Sequence, residues 1–318
     1  MNCLSPVRVF SLCLPFFASA NANTLIRDEV IVYEGKTMKV IVPDHPLALG
    51  SLKITTNSNS VKFSEWKAVN EQESYEFLQK VVRIWEKKGV PDYLIFGKES
   101  NDDKDIFGWE IVPFSKKECG FSRQFKVLWN VSFEGPYLPK AKRLDVAKNL
   151  FLEPHFNQLE SVEKGIKGND AFCNQKVIDN QRVFEGDEVN VLYNYAPIGL
   201  GKGKLHFLIV PKEHRSRFSD LTESEYLESM RLAQKLIIFY KDKGYDTTYL
   251  FDKSGAQAGQ TVPHWHEHVV FTATKTQEFF GKLTVLKNML IGSSPLSQKE
   301  LQFRVFLLRK ELTKVLTE

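Results

Sequence analysis

Three of the seven histidines, His264, His266 and His268, fall within five residues. They alternate with Trp265 and Glu267, in a stretch that ends Val269-Val270-Phe271. Strand side chains alternate between faces, so this period sets all three imidazoles on one face, neighbours about 6.5–7 Å apart. Three uses compete for such a row. In a purely structural strand each packed polar ring would need a partner. Two or three histidines can chelate zinc or copper, although no acidic ligand motif stands out elsewhere in the chain. Alternatively, a neutral imidazole attacks phosphorus while its neighbours orient it and bind phosphoryl oxygens, splitting one displacement into two. The preceding Gly255-Ala256-Gln257-Ala258-Gly259-Gln260-Thr261 is loop-like, with small residues that let a ligand approach the backbone.

The elements that must carry this row occur twice. Val32-Tyr33-Glu34-Gly35 is echoed by Val183-Phe184-Glu185-Gly186 at an offset of 151, which also pairs Val40 with Val191 and Pro46 with Pro197. The offset then grows to 155, pairing Phe63 with Phe218 and Gly89 with Gly244. Each copy holds one helix. The first opens at Asn70-x-x-Glu73 and stops at Gly89; the second opens at Thr222-x-x-Glu225 and stops at Gly244. Strand-like runs follow, Tyr93–Phe96 and Thr248–Phe251, then Trp109–Val112 and His266–Val269 at an offset of 157. At that offset the first copy has Phe107, Trp109 and Ile111 in place of the three histidines, and Glu110 in place of Glu267. Glu267 is expected to face away from the histidines. A further amphipathic helix is expected over Leu144 to Leu152, and a C-terminal one from Ser297-x-x-Glu300.

Composition narrows the class. The 318 residues are 42% hydrophobic and 26% charged, enough for a folded core. A net charge of +4, spread evenly, does not argue for nucleic-acid binding. Four cysteines without a CxxC pair argue against a disulfide scaffold or a cysteine zinc site. No apolar run after residue 25 reaches the length of a membrane span. Arg8, the apolar Val9–Phe17 and Ala18-Ser19-Ala20-Asn21-Ala22 read as a secretory signal over 1–22, hence a secreted or periplasmic protein, or a cytoplasmic one without that signal. After cleavage Cys119 and Cys173 would remain as a possible disulfide.

Gly259-Gln260-Thr261-Val262-Pro263-His264-Trp265-His266-Glu267-His268-Val269-Val270 resembles the signature of the histidine-triad (HIT) superfamily of nucleotide hydrolases and transferases. Leu205–His214 and Ser216–Leu221 resemble that family's upstream strand and turn. The resemblance covers about residues 170–272 and, more weakly, 30–114. It implies His266 as nucleophile on a nucleotide α-phosphorus, His264 at the phosphate and leaving group, and His268 donating to phosphate oxygens. It further implies His206 behind the nucleophile, Gln260 and Thr261 at phosphate and leaving group, and Asn194 at the ribose. Lys253 departs from the usual Asn or Gln and adds a positive charge suited to a polyphosphate. The family's frequent cysteine zinc pair is reduced to Cys173 in Asp170-Ala171-Phe172-Cys173, so no structural metal and no cofactor are expected.

The expected fold is therefore α+β, with two HIT-like units, each an antiparallel sheet with a packed helix. The boundaries are a degenerate unit over 23–134, a linker over 135–169, a HIT domain over 170–274 and a helical extension over 275–318. The two units would pair within one chain, around a small-molecule nucleotide and without nucleic acid. The expected activity is hydrolysis of a nucleoside phosphoramidate or dinucleoside polyphosphate through a nucleotidyl-histidine. The alternatives are transfer, of the diadenosine polyphosphate phosphorylase or galactose-1-phosphate uridylyltransferase type, and a nucleotide-binding module without turnover. The scavenger decapping enzymes are a further relative by resemblance, and a metal-dependent oxidoreductase is the remote reading.

Overall fold

The computed structural model describes residues 29–58, 62–102, 106–114, 120–151, 169–198, 204–272, 287–288 and 292–317. The proposed signal over 1–22 and Cys119 lie outside the described residues. Ten antiparallel strands form one sheet: β1 (Val30–Glu34), β2 (Met38–Val42), β3 (Leu52–Thr56), β4 (Asp92–Ser100), β5 (Gly108–Phe114), β6 (Arg182–Glu185), β7 (Val189–Tyr193), β8 (His206–Pro211), β9 (Thr247–Ser254) and β10 (Glu267–Thr272). Their order is β1-β2-β3-β5-β4-β9-β10-β8-β7-β6. From either edge inward the order repeats, so the sheet has an approximate two-fold axis between β4 and β9. There Phe96 stands opposite Phe251, flanked by Ile95–Asp252 and Gly97–Leu250.

Helices α1 (Ala68–Lys87) and α5 (Glu223–Lys241) cover one face with a continuous apolar core. On the other face lie α2 (Gly120–Phe133) and α4 (Gln175–Gln181), while α3 (Lys140–Phe151) at the β1 edge and α6 (Gln298–Thr317) on β6 and α5 both join the core beneath α1 and α5. Ala147 of α3 joins the α1–α5 core, and Ile178 of α4 packs with Leu192, Leu208 and Val210 on the opposite face. α5 opens on the expected box: Thr222 Oγ1 accepts from Glu225 N–H at 3.2 Å and Glu225 accepts from Thr222 N–H at 2.8 Å. α1 has its N-cap at Lys67, three residues before the expected Asn70, and Asn70 accepts from Lys67 N–H instead. Glu73 is then released to accept from the backbone N–H of Lys36, Thr37 and Met38 in the β1–β2 turn. Glu228 does the same for Asp187, Glu188 and Val189 in the β6–β7 turn. Each glutamate carboxylate fills the space where a side chain on Gly35 or Gly186 would stand, which explains both glycines. α2 was not anticipated from the sequence.

The two halves match at a register one residue away from the sequence alignment. Phe251 pairs with His268, and its symmetry mate Phe96 pairs with Glu110. Glu110, not Ile111, therefore occupies the place of His268, and Gly108, not Trp109, that of His266. A one-residue slip moves a whole strand to the other face. Phe107, Trp109 and Ile111 accordingly lie in the helix-side core, with Phe107 and Trp109 packed over the bare Cα of Gly97. On the opposite face Glu110 accepts from Leu47 N–H, and the Lys53 side chain crosses Gly108 to reach the Ile106 carbonyl at 3.2 Å. The N-terminal half thus holds a lysine stem over glycine where a nucleophile would stand.

Burial pushes the Glu110 carboxyl up to about 7 from 4.5, against the lowering effects of Leu47 N–H, Lys53 and Ser51. The native state therefore holds this proton more tightly than the unfolded chain. Its stabilising contribution is fully present below pH 4.5 and is lost as pH rises through about 7. Glu110→Gln keeps an acceptor for Leu47 N–H. It is expected to flatten the stability profile between pH 5 and 8 and to raise stability at pH 8 by up to about 3 kcal/mol, read by urea unfolding.

Candidate active site

His206 and His268 sit on the face of β8 and β10 opposite α5, where alternation also places Phe251 and Lys253 of β9. Phe251 stacks on the His268 ring at 4.4 Å and 10°. β10 begins only at Glu267, so His266 and His264 lie in the segment before it. His266 stays beside His268, ring centroids 4.8 Å apart. His264 does not join them. Its ring packs edge-on against His214 at 5.1 Å, so of the three imidazoles expected on one strand face only His268 lies in the strand, with His266 beside it and His264 turned away. The reason is the bend at Pro263, which ends strand alternation.

Hydrogen bonds assign the protons. Ile198 N–H donates to His206 Nδ1 at 3.0 Å and the Asn194 amide donates to it at 3.2 Å. His206 therefore carries its proton on Nε2 and donates to His268 Nδ1 at 2.8 Å. His268 in turn keeps a proton on Nε2, a donor to offer a ligand. His266 Nδ1 lies 2.8 Å from the His264 carbonyl, which can only accept. Its Nε2 is thus an unprotonated lone pair. His264 Nε2 donates to the Pro211 carbonyl at 3.2 Å.

Burial keeps these rings neutral. It pushes His206 down to about 3 and His266 to about 4, and holds His268 well below the usual range, with neighbouring imidazoles and Lys253 adding to the effect. Burial also lowers Lys253. On the opposite face Glu267, as expected, points away from the histidines, and burial beside Asp252 raises its carboxyl. Phe172, which sequence reasoning missed, packs against His264 and His266 at 5.8 and 5.1 Å. Nothing in its local pattern marks it, because it arrives from 92 residues upstream of His264.

Two of the residues assigned to substrate by resemblance have other partners in the structure. Asn194 supports His206 and accepts from Ala196 N–H at 3.0 Å. Gln260 accepts from Gly255 N–H at 2.7 Å and donates to the Ser216 carbonyl at 2.8 Å, closing the loop on itself. Thr261 is exposed.

Asp170, Cys173, His214 and His264 converge, with one potential ligand atom from each lying within 4.8 Å of the others. Asp170 Oδ2 is 3.0 Å from His214 Nδ1, and its Oδ1 is 3.4 Å from His264 Nδ1. Cys173 Sγ lies 3.6 and 3.7 Å from the same two nitrogens. The missing second cysteine is replaced by a carboxylate, so the argument against a metal site fails on geometry. One thiolate, one carboxylate and two imidazoles fit a four-coordinate zinc-type ion. His264 could bind it through Nδ1 while Nε2 keeps the Pro211 carbonyl, an arrangement that orients a metal-bound imidazole. The protein is expected to carry one equivalent of zinc by elemental mass spectrometry. Asp170→Ala and Cys173→Ala should each reduce that content, and chelation should lower the melting temperature.

The family model for the HIT domain matches residues 175–275. An uncharacterised HIT-like protein of Methanocaldococcus jannaschii is 30% identical over 88 residues, covering 28% of this chain and 65% of that protein. One of Mycoplasma genitalium is 29% identical over 115 residues, covering 34% and 77%. This chain thus spans under two thirds of the archaeal relative's length. Among solved structures, an ADP-glucose phosphorylase of Arabidopsis thaliana with bound ADP-glucose aligns over 86% of this chain and 82% of its own, at 14% identity and a TM-score of 0.49. Among the described residues no helix is long and apolar enough to cross a membrane. The match falls on the strands and loop that carry His206, His264, His266 and His268, so residues 175–275 are similar to the HIT domain over the candidate site itself.

Proposed function

We propose that this protein is a nucleotidyl hydrolase whose nucleophile is His266 Nε2 and whose substrate is a nucleoside phosphoramidate or dinucleoside polyphosphate. One observation carries the reading: the His264 carbonyl engages Nδ1 of His266 and leaves Nε2 unprotonated, inside a pocket that burial keeps from acquiring a proton. A neutral imidazole with a free lone pair is the form that attacks phosphorus.

In the first step the Nε2 lone pair forms an N–P bond to the α-phosphorus, and the bond to the leaving group breaks with its electron pair. A polyphosphate leaves as an anion and needs no proton, whereas the nitrogen of a phosphoramidate takes a proton from solvent as the P–N bond breaks and leaves as the amine. His266 becomes a nucleotidyl-imidazolium, its Nδ1–H still on the His264 carbonyl. His268 Nε2–H and the Lys253 side chain stabilise charge on the phosphoryl oxygens. In the second step water attacks phosphorus and gives up one proton to solvent, the N–P pair returns to Nε2 to restore the neutral imidazole, and the nucleotide leaves. The N-terminal half is read as a degenerate copy of the same unit. The shared turn-capping glutamates, Glu73 and Glu228, support duplication, and the covered Gly108 accounts for its silence. The exported location remains part of this proposal, resting on the pattern of residues 1–22.

With labelled diadenosine polyphosphate or adenosine phosphoramidate, the wild type is expected to retain acid-labile nucleotide on the protein during turnover. His266→Ala should retain none and lose at least about 10³-fold in kcat/KM. Product analysis with and without added inorganic phosphate distinguishes hydrolysis from phosphorolysis. Full turnover by His266→Ala would overturn the assignment. Lys253→Met is expected to raise KM for the polyphosphate about ten-fold and to leave that for the phosphoramidate within about two-fold, because the added charge acts on the longer phosphate chain.

A further inference from the structure

The loop over 255–260 leads into the proposed nucleophile. Its two flanking glycines, Gly255 and Gly259, have φ of +89° and +88°, a left-handed backbone that other residues adopt at a cost. Between them, Gln257 is held from the other half of the molecule at both of its backbone polar groups. Its N–H donates to Asp92 Oδ2 of β4 at 2.8 Å, and its carbonyl accepts from Gln124 Nε2 of α2 at 2.7 Å. The same side chains lie over the glycines. A Cβ on Gly255 would stand 2.1 Å from Asp92 Oδ1, and one on Gly259 would stand 3.2 Å from Gln124 Nε2.

The grip continues toward His266. Gly255 N–H donates to Gln260 Oε1, and Gln260 N–H returns to the Gly255 carbonyl at 3.1 Å. The Gln260 amide also reaches the Ser216 carbonyl at 2.8 Å and the His264 carbonyl at 3.5 Å. That last carbonyl is the one that fixes the His266 tautomer.

We propose that Asp92 and Gln124, both outside residues 175–275, are positioning residues that hold the 255–260 loop by the Gln257 backbone and so keep His266 Nε2 free for attack. The inference rests on His266 being the nucleophile. It assigns the silent half a definite role: it supplies a two-point clamp on the backbone of Gln257 at the centre of the loop. Loss of the clamp leaves the fold and substrate contacts in place but lets the His264 carbonyl move, and misplacement of a reacting group falls on kcat.

The test uses the full chain with Asp92→Ala, Gln124→Glu and the double variant, alongside Asp92→Asn and His266→Ala. Gln124→Glu keeps the size but replaces the donor with a second acceptor facing a carbonyl. Each of the first two is expected to lower kcat about ten-fold with KM within about three-fold. Asp92→Asn, which retains an acceptor for Gln257 N–H, should recover activity to within about three-fold of wild type. Nitrogen-15 NMR of the imidazoles is expected to show one His266 tautomer in wild type and Asp92→Asn, and a mixture in the double variant. A double variant that is folded by its melting transition, retains kcat within two-fold and keeps one tautomer would overturn the proposal. Turnover retained by His266→Ala would instead overturn the reading of the nucleophile.

Discussion

The hydrogen bond from His266 Nδ1 to the His264 carbonyl is the constraint on which the remaining geometry depends. An imidazole has two nitrogens, and which one carries the proton decides whether the exposed nitrogen donates or attacks. A carbonyl cannot donate and does not titrate in the working range, so it gives a fixed instruction. The second chain of bonds, Ile198 N–H to His206 to His268, also begins at a backbone group and ends with a proton on His268 Nε2. The two chains set a lone pair and a donor on neighbouring rings 4.8 Å apart, which is what a phosphoryl centre requires.

Such a site must exclude water to hold these states, and the sheet makes that possible. β8, β9 and β10 are central strands, closed on one face by α5 and the core beneath it. On the other face Phe251 and Phe172 pack against the imidazoles. Burial keeps all three rings around the pocket neutral, outweighing the opposing charge of Asp170 on His266, and Lys253 reinforces this while offering charge to a ligand. His264 has a different environment. Turned toward Asp170, Cys173 and His214, it links the proposed nucleophile to a metal-competent cluster through a single residue: its ring faces the cluster and its carbonyl faces His266.

The halves of the sheet share architecture and differ in chemistry. Both use a helix glutamate to satisfy a hairpin turn, and both meet at Phe96 and Phe251. Where one half places His206 and His268 under Ile198 N–H, the other places Ser51 and Glu110 under Leu47 N–H. A buried carboxyl near neutrality can hold a loop but cannot replace an imidazole as nucleophile in this setting, and Lys53 closes the space above Gly108.

Much of this was legible in the residues alone. The alternation around His266, the box at Thr222, the glycine stops and the doubled α+β pattern are local signals, and local signals survive without knowledge of the fold. Glu267 pointing away from the site followed from strand period alone. The register of the N-terminal half was not legible, because a one-residue shift reverses faces and both Trp109 and Glu110 sit in plausible strand patterns. Nor was the company of His264: Asp170, Cys173 and His214 are brought together by a 3-10 turn and a bend, across 94 residues of chain between Asp170 and His264. Asn194 and Gln260 were placed by analogy at the ligand, and only the hydrogen bonds show them committed to His206 and to the loop. The sequence determined which side chains have the chemistry to attack phosphorus. The tertiary structure decided which of their nitrogens is available, because that depends on backbone carbonyls and N–H groups whose positions no residue type encodes.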